Sequence, residues 1–137
     1  MTDKCIFCEI ANGRIPSIRV HEDPDFIAFM DINPISEGHL LIVTRDHYVR
    51  TLDVPEELLQ KALPLAKKLA NAALLGVGAQ DFNLVVNNGP LSGQLVPHWH
   101  MHIIPRRDKN ELPLKMGEPA DLTKLPFVAE RIRENLK

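Results

Sequence analysis

From His98 to Ile103 the chain reads His98-Trp99-His100-Met101-His102-Ile103, polar and apolar side chains alternating without exception. Successive side chains of an extended strand point to opposite faces. The pattern therefore predicts a strand, spanning Pro97 to Ile104, with His98, His100 and His102 on one face and Trp99, Met101 and Ile103 on the other. At about 3.3 Å of rise per residue, neighbouring histidines on that face stand roughly 6.6 Å apart. A wet face on an amphipathic strand gives the same alternation, but Thr, Lys or Glu would serve there, so three imidazoles in file point to chemistry. Two chemistries are open: a three-histidine metal site with a free coordination position, or nucleophilic and acid-base work by the imidazoles themselves.

Charge and length narrow the classes. Sixteen basic and 18 acidic side chains leave a formal net charge of −2 over 137 residues, which lacks the basic excess of a protein that holds duplex DNA by neutralising phosphates; no nucleic-acid partner is expected. One domain is expected, and an apolar content of 45% can build its core without staples. Apolar runs such as Leu40 to Val43 fall far short of the roughly 18 residues of a membrane span, so no membrane partner is expected. Met1-Thr2-Asp3-Lys4 is not a charged segment followed by an apolar one, which makes the cytoplasm the expected compartment. Cys5 and Cys8 form a C-x-x-C pair offering two of four tetrahedral zinc ligands, with His47 and one histidine of the strand as candidates for the others. A closed set of that kind holds structure and leaves no position for reacting water. The competing readings are a redox pair and two small buried hydrophobes.

Along the chain, Cys5 to Ala11 reads as a short helix stopped by Asn12-Gly13. Ile18–His21 and Phe26–Asp31 flank the turn-rich Glu22 to Asp25 and predict a hairpin; His39–Thr44 and Asp81–Asn87 predict two further strands. A long helix follows with Pro55 in its first turn, Glu56 and Glu57 at its positive end, Lys67 and Lys68 towards its negative end, Gly76 as its stop, and Pro64 placed to kink or divide it. Pro105, Pro113, Pro119 and Pro126 predict an irregular tail closed by a helix from about Phe127. Strands on both sides of one long helix define an α+β domain on an antiparallel sheet, with residues 1–106 as its body and 107–137 as a tail of the same domain.

These segments resemble the histidine triad hydrolase family, in particular its branch of nucleoside phosphoramidases and diadenosine polyphosphate hydrolases. The resemblance rests on Cys5-Ile6-Phe7-Cys8-Glu9-Ile10, Phe29-Met30-Asp31-Ile32-Asn33-Pro34, Gly38-His39-Leu40-Leu41-Ile42-Val43, Asn87-Asn88-Gly89, Gly93-Gln94, and the H-x-H-x-H run ending Ile103-Ile104-Pro105-Arg106. It implies a five-stranded antiparallel sheet, one long helix and short terminal helices, with two subunits joining into a ten-stranded sheet as a homodimer. It implies that His100 attacks the α-phosphorus of a nucleotide to form nucleotidyl-histidine, which water then releases as the monophosphate. His39 and His102 match the histidines flanking the phosphate, Asn87 and Gln94 polar groups beside it, and Asp31 the carboxylate that accepts from the ribose hydroxyls. Ile6, Phe7, Ile10, Phe29 and Ile32 fall where the family builds an apolar slot for a purine, and any of them also suits plain core packing. Cys5, Cys8, His47 and His98 match a structural zinc site, one Zn2+ per chain. His21 reads as a surface residue.

Leu95 departs from the pattern: many hydrolases of the branch carry Ser or Thr there, donating near the scissile bond. A nucleotidyl transferase is the competing activity, but transferases generally have glutamine where this chain has His102. A non-catalytic nucleotide-binding protein is the third reading, against which the intact nucleophile stands.

Overall fold

The computed structural model describes residues 5–108 and 117–136; Pro113 and the first four residues lie outside them. The elements run α1 (Ile6–Ala11), β1 (Arg19–Glu22), β2 (Phe26–Met30), β3 (Leu40–Thr44), α2 (Glu56–Val77), β4 (Asp81–Val85), β5 (His100–Arg106) and α3 (Leu125–Glu134), an α+β architecture. One antiparallel sheet carries the strands in the order β1-β2-β3-β5-β4.

Local chemistry explains the turns. In the β1–β2 hairpin, Asp23 Oδ1 accepts from the N–H groups of Asp25 and Phe26, closing the corner that lets β2 fold back. After α1, Gly13 takes a left-handed φ of 76°, where a side chain would be strained.

The sheet has two differently covered faces. Phe26, Ala28, Leu40, Ile42, Trp99, Met101 and Ile103 pack with Ala62, Ala66, Leu69 and Ala70 of α2 in one buried cluster. Burying a large apolar side chain contributes about 1.5–3 kcal/mol, so Trp99, Met101 and Ile103 anchor β5 firmly to the α2 side. The opposite face carries Ile27, Phe29, Leu41 and Val43 with Phe7, Ile10 and Ala11 of α1. Because β5 pairs His100 with Val43 and His102 with Leu41, those histidines emerge on the α1 face.

Several boundaries differ from expectation. The helix runs through Pro64 undivided: Pro64 and Gln60, whose carbonyl loses its partner, both lie on the exposed side, while Ala62 and Ala66 hold the helix to the sheet. The stop is Gly78, in the left-handed conformation at φ 71°, and Gly76 is helical. Lys67 and Lys68 consequently sit in mid-helix, and the last turn carries no basic residue. β5 begins at His100, since the His98 N–H turns back to the Val96 carbonyl and Trp99 N–H donates to Tyr48. It continues past Ile104 through Pro105 and Arg106. Pro105 is tolerated because β3 has ended there: its carbonyl accepts from Ser36 Oγ, so its missing N–H, on that same edge, costs no ladder bond. α3 starts at Leu125, two residues before Phe127, with Pro126 in its first turn. No helix among the described residues is long and apolar enough to cross a membrane.

Candidate active site

Two clusters of side chains lie on the α1 face. The first gathers Cys5 and Cys8 at the start of α1, His47 after β3 and His98 before β5. Cys5 Sγ lies 3.2 Å from His98 Nδ1, Cys8 Sγ 3.3 Å from His47 Nδ1 and 3.5 Å from His98 Nδ1, and the two histidine nitrogens are 3.2 Å apart. Ligand atoms of a tetrahedral zinc with bonds of about 2.3 Å to sulfur and 2.0–2.1 Å to nitrogen stand roughly 3.3–3.8 Å from one another, so these donors are close to ligand spacing. His98 is fully buried, and its Nε2 meets the Thr44 carbonyl at 2.7 Å. A carbonyl only accepts; Nε2 therefore carries the proton, and the Nδ1 lone pair faces the cysteines. Burial depresses His98 to about 4, keeping it the neutral imidazole a metal requires. Without a metal, burial and then the neighbouring Cys5 push the Cys8 thiol up to about 11; a bound cation reverses that preference. The donor set fits zinc.

The second cluster is His39, His100 and His102 with Asp31. His100 Nδ1 lies 2.7 Å from the His98 carbonyl and must donate to it, which leaves the Nε2 lone pair free. The Phe7 ring meets the His100 ring edge-on at 5.0 Å and the Phe29 ring at 5.6 Å. His102 stands 4.9 Å from His100 between ring centres, and its Nδ1 is 2.9 Å from His39 Nε2. Asp31 Oδ2 lies 3.4 Å from that same His39 nitrogen. Burial lowers His39 and His100 from the ordinary histidine value and takes His102 to about 4, the last helped by its histidine neighbours. All three imidazoles are neutral near pH 7.

A cavity of about 190 Å³ opens beside them, lined by Ile35, Asn83, Val85, Asn87, His102, Ile104 and Arg106. The sequence reading gave no role to Arg106, which is buried and held by Asn83 Oδ1 at 2.9 Å from its Nε. The signal was present: carrying the period of two from His102 through Ile104 reaches Arg106 on the same face. Asn83 and Ile35, by contrast, reach the cavity from other elements.

The remaining candidates are dispersed. Gln94 is buried, with Oε1 accepting from Gly89 N–H at 2.8 Å and Nε2 donating to the Val49 carbonyl at 2.7 Å, so its amide braces the loop before β5. Phe7, Ile10 and Phe29 are buried in one cluster, whereas Ile6 and Ile32 are exposed, Ile32 to 88%. Leu95 is exposed as well. His21 is half-buried and pairs with Asp23 at 2.7 Å.

The HIT domain family matches residues 12–109, so the chain belongs to the HIT family. It is 42% identical over 119 residues to adenosine 5′-monophosphoramidase HNT1 of Saccharomyces cerevisiae, a match covering 87% of this chain and 72% of that protein. Among solved structures, a HIT family protein from Bacillus anthracis superposes with a TM-score of 0.89 at 31% identity, covering all of both chains. A Zn-bound histidine triad family protein from Mycobacterium smegmatis gives 0.75 at 34% identity over 84% of each chain.

A histidine whose native pKa lies below its unfolded value leaves the extra proton to the unfolded chain, so its contribution to stability is present above pH 6.5 and is lost as the pH falls towards 4. For His102 the loss is at most roughly 3 kcal/mol. Urea unfolding at a series of pH values should show this decline in the parent protein and a decline shallower by about 2 kcal/mol in His102→Asn. Parallel curves would place His102 in a solvated environment.

Proposed function

We propose that the protein is a nucleotide hydrolase that cleaves the bond at the α-phosphorus of purine nucleoside phosphoramidates or dinucleoside polyphosphates through a covalent nucleotidyl-His100. The observation that carries this reading is the donation from His100 Nδ1 to the His98 carbonyl, which leaves Nε2 of a neutral ring as an unprotonated lone pair, next to His102 and the cavity that His102 lines. Nε2 attacks the α-phosphorus and the bond to the leaving amine or phosphate breaks; a leaving amine takes a proton from solvent, which the water of the next step gives back. Water then cleaves the phosphorus–nitrogen bond, returning the imidazole and releasing the nucleoside monophosphate. His102 flanks the phosphate and stabilises its charge, and His39 stands behind it, in contact with the His102 ring. Asp31, beside the same His39 nitrogen that meets His102, accepts from the ribose hydroxyls; Asn87 lies beside the phosphate, and Gln94 shapes the loop that meets the leaving group. Leu95 has no side-chain donor, so only its backbone N–H can serve there. Ile6 and Ile32, in front of buried Phe7, Ile10 and Phe29, form apolar walls for the purine. The similarity to a yeast adenosine 5′-monophosphoramidase supports the reaction class.

We assign one structural zinc per chain to Cys5, Cys8, His47 and His98, tying α1 to the sheet. The Zn-bound mycobacterial relative supports it. The cytoplasm, where both thiols stay reduced, suits this site.

We also propose a homodimer. The sheet has two free edges. β1 is four residues long and carries Arg19 and Glu22, charges that discourage pairing; β4 exposes Phe82 to 40% and Leu84 to 38%. Joining two β4 edges makes a ten-stranded sheet. The tail 107–137 belongs to the same domain, and a partner subunit would cover exposed Phe127 and Ile132 of α3.

Three measurements test these readings. His100→Ala should bind adenosine monophosphate yet form no phosphorus adduct by mass spectrometry and lose at least a thousandfold in turnover; unchanged hydrolysis would sink the covalent route. Elemental analysis of protein purified without added zinc should give one equivalent per chain, and Cys8→Ser should lose both the metal and several degrees of melting temperature. Sedimentation should show a dimer, and Phe82→Glu, which sets two charges together at the joined edges, should give monomer.

A further inference from the structure

The grouping of Asp31, His39 and His102 has the composition of a metal site, with one ligand atom from each lying within 4.8 Å of the others. Its hydrogen bonds say otherwise. The backbone N–H of Ile35 lies 3.0 Å from His39 Nδ1. An amide N–H only donates, so Nδ1 accepts and the single proton of the neutral His39 ring sits on Nε2. That proton points at His102 Nδ1, 2.9 Å away, with Asp31 Oδ2 at 3.4 Å as a weaker second acceptor. His102 Nδ1 must then accept, and its own proton is forced onto Nε2. His102 lines the cavity, and no hydrogen bond engages its Nε2 among the described residues.

We propose that the Ile35 N–H is a positioning group which, relayed through His39, fixes the proton of His102 on Nε2, making His102 an obligate hydrogen-bond donor to an anionic phosphate oxygen in the cavity. The same lock denies His39 Nε2 a lone pair, so this cluster takes no divalent cation while the loop is in place. His100 is locked the opposite way: a carbonyl draws its proton to Nδ1 and leaves Nε2 as a base. Two histidines two residues apart on one strand thus carry opposite tautomers, one a nucleophile and the other a donor, each set by a backbone group that cannot change its polarity.

The loop from Asp31 to His39 is built to hold Ile35 N–H in place. Asp31 N–H donates to the His39 carbonyl at 3.1 Å and His39 N–H to the Ser36 carbonyl at 3.2 Å, closing the loop on itself. Ser36 Oγ donates to the Pro105 carbonyl at 2.5 Å, tying it to β5. Gly38, at φ 91°, lies so close to Val77 and Pro105 that a Cβ there would approach them to 2.9 and 3.1 Å. Ser36 is accordingly a second positioning residue.

The donor role of His102 rests on the hydrolase reading above; the proton positions do not, and they can be read without turnover. Long-range proton–nitrogen correlation spectra of the zinc-loaded, 15N-labelled protein at pH 8 should show the Nε2–H tautomer for His39 and His102 and the Nδ1–H tautomer for His100. Either of the first two found as Nδ1–H overturns the proposal, whatever the enzyme hydrolyses. Zinc beyond one equivalent should leave the His39 and His102 ring signals unmoved; a second tight equivalent that shifts them also overturns it. Ile35→Pro removes the N–H and should give mixed tautomers at His39 and His102. Its rate of adduct formation should fall at least tenfold, and its affinity for adenosine monophosphate, whose phosphate loses the same donor, should fall with it. Ile35→Ala retains the N–H and should retain the parent tautomer pattern. Unchanged tautomers in Ile35→Pro would overturn the relay, and if that variant does not fold the parent spectrum decides alone.

Discussion

The placement of β5 between β3 and β4, with Trp99, Met101 and Ile103 pressed against α2, is the constraint on which everything else in the structure depends. Side chains alternate across a strand, so a slip of one residue would turn three large apolar groups towards the α1 face and drive His100 and His102 into the core. At about 1.5–3 kcal/mol for each apolar side chain, that loss is comparable with the entire 5–15 kcal/mol stability of an ordinary domain. The register is thus enforced by hydrophobic burial on one face, and the chemistry occupies the other face at no further cost in specification.

Within that frame the backbone decides what each imidazole does. The Thr44 carbonyl aims His98 Nδ1 at the cysteines, and the His98 carbonyl in turn frees His100 Nε2. One residue therefore links the two clusters: the side chain of His98 meets Cys5, Cys8 and His47, and its carbonyl holds the His100 ring. Phe7, one residue before Cys8 and edge-on to both His98 and His100, couples the packing of α1 to both. A metal held by the cysteine and histidine set would fix α1 and, with it, the Phe7 wall beside His100.

Much of this was legible in the chain. The strand alternation, the C-x-x-C pair, the hairpin and the long helix all rest on local rules of periodicity and turn chemistry, and each appears close to its expected place. The misses have a common cause. Pro64 and Gly76 are helix breakers by local propensity, but burial of Ala62, Ala66, Leu69 and Ala70 on the sheet carries the helix past both to Gly78. Pro105 was read as the end of a strand, yet it sits where its neighbour β3 has already stopped. Arg106 escaped for the same reason, since ending the strand at Pro105 hid its place on the histidine face.

The sequence by itself determined the class of fold, the residues of the strand that carries the imidazoles and the types of ligand available to a metal, because alternation and spacing are properties of the chain alone. Only the tertiary structure decided which nitrogen of each histidine holds its proton. That choice belongs to the Thr44 and His98 carbonyls and to the Ile35 N–H, groups every residue possesses and no sequence pattern distinguishes until the fold brings them within hydrogen-bond reach of a ring.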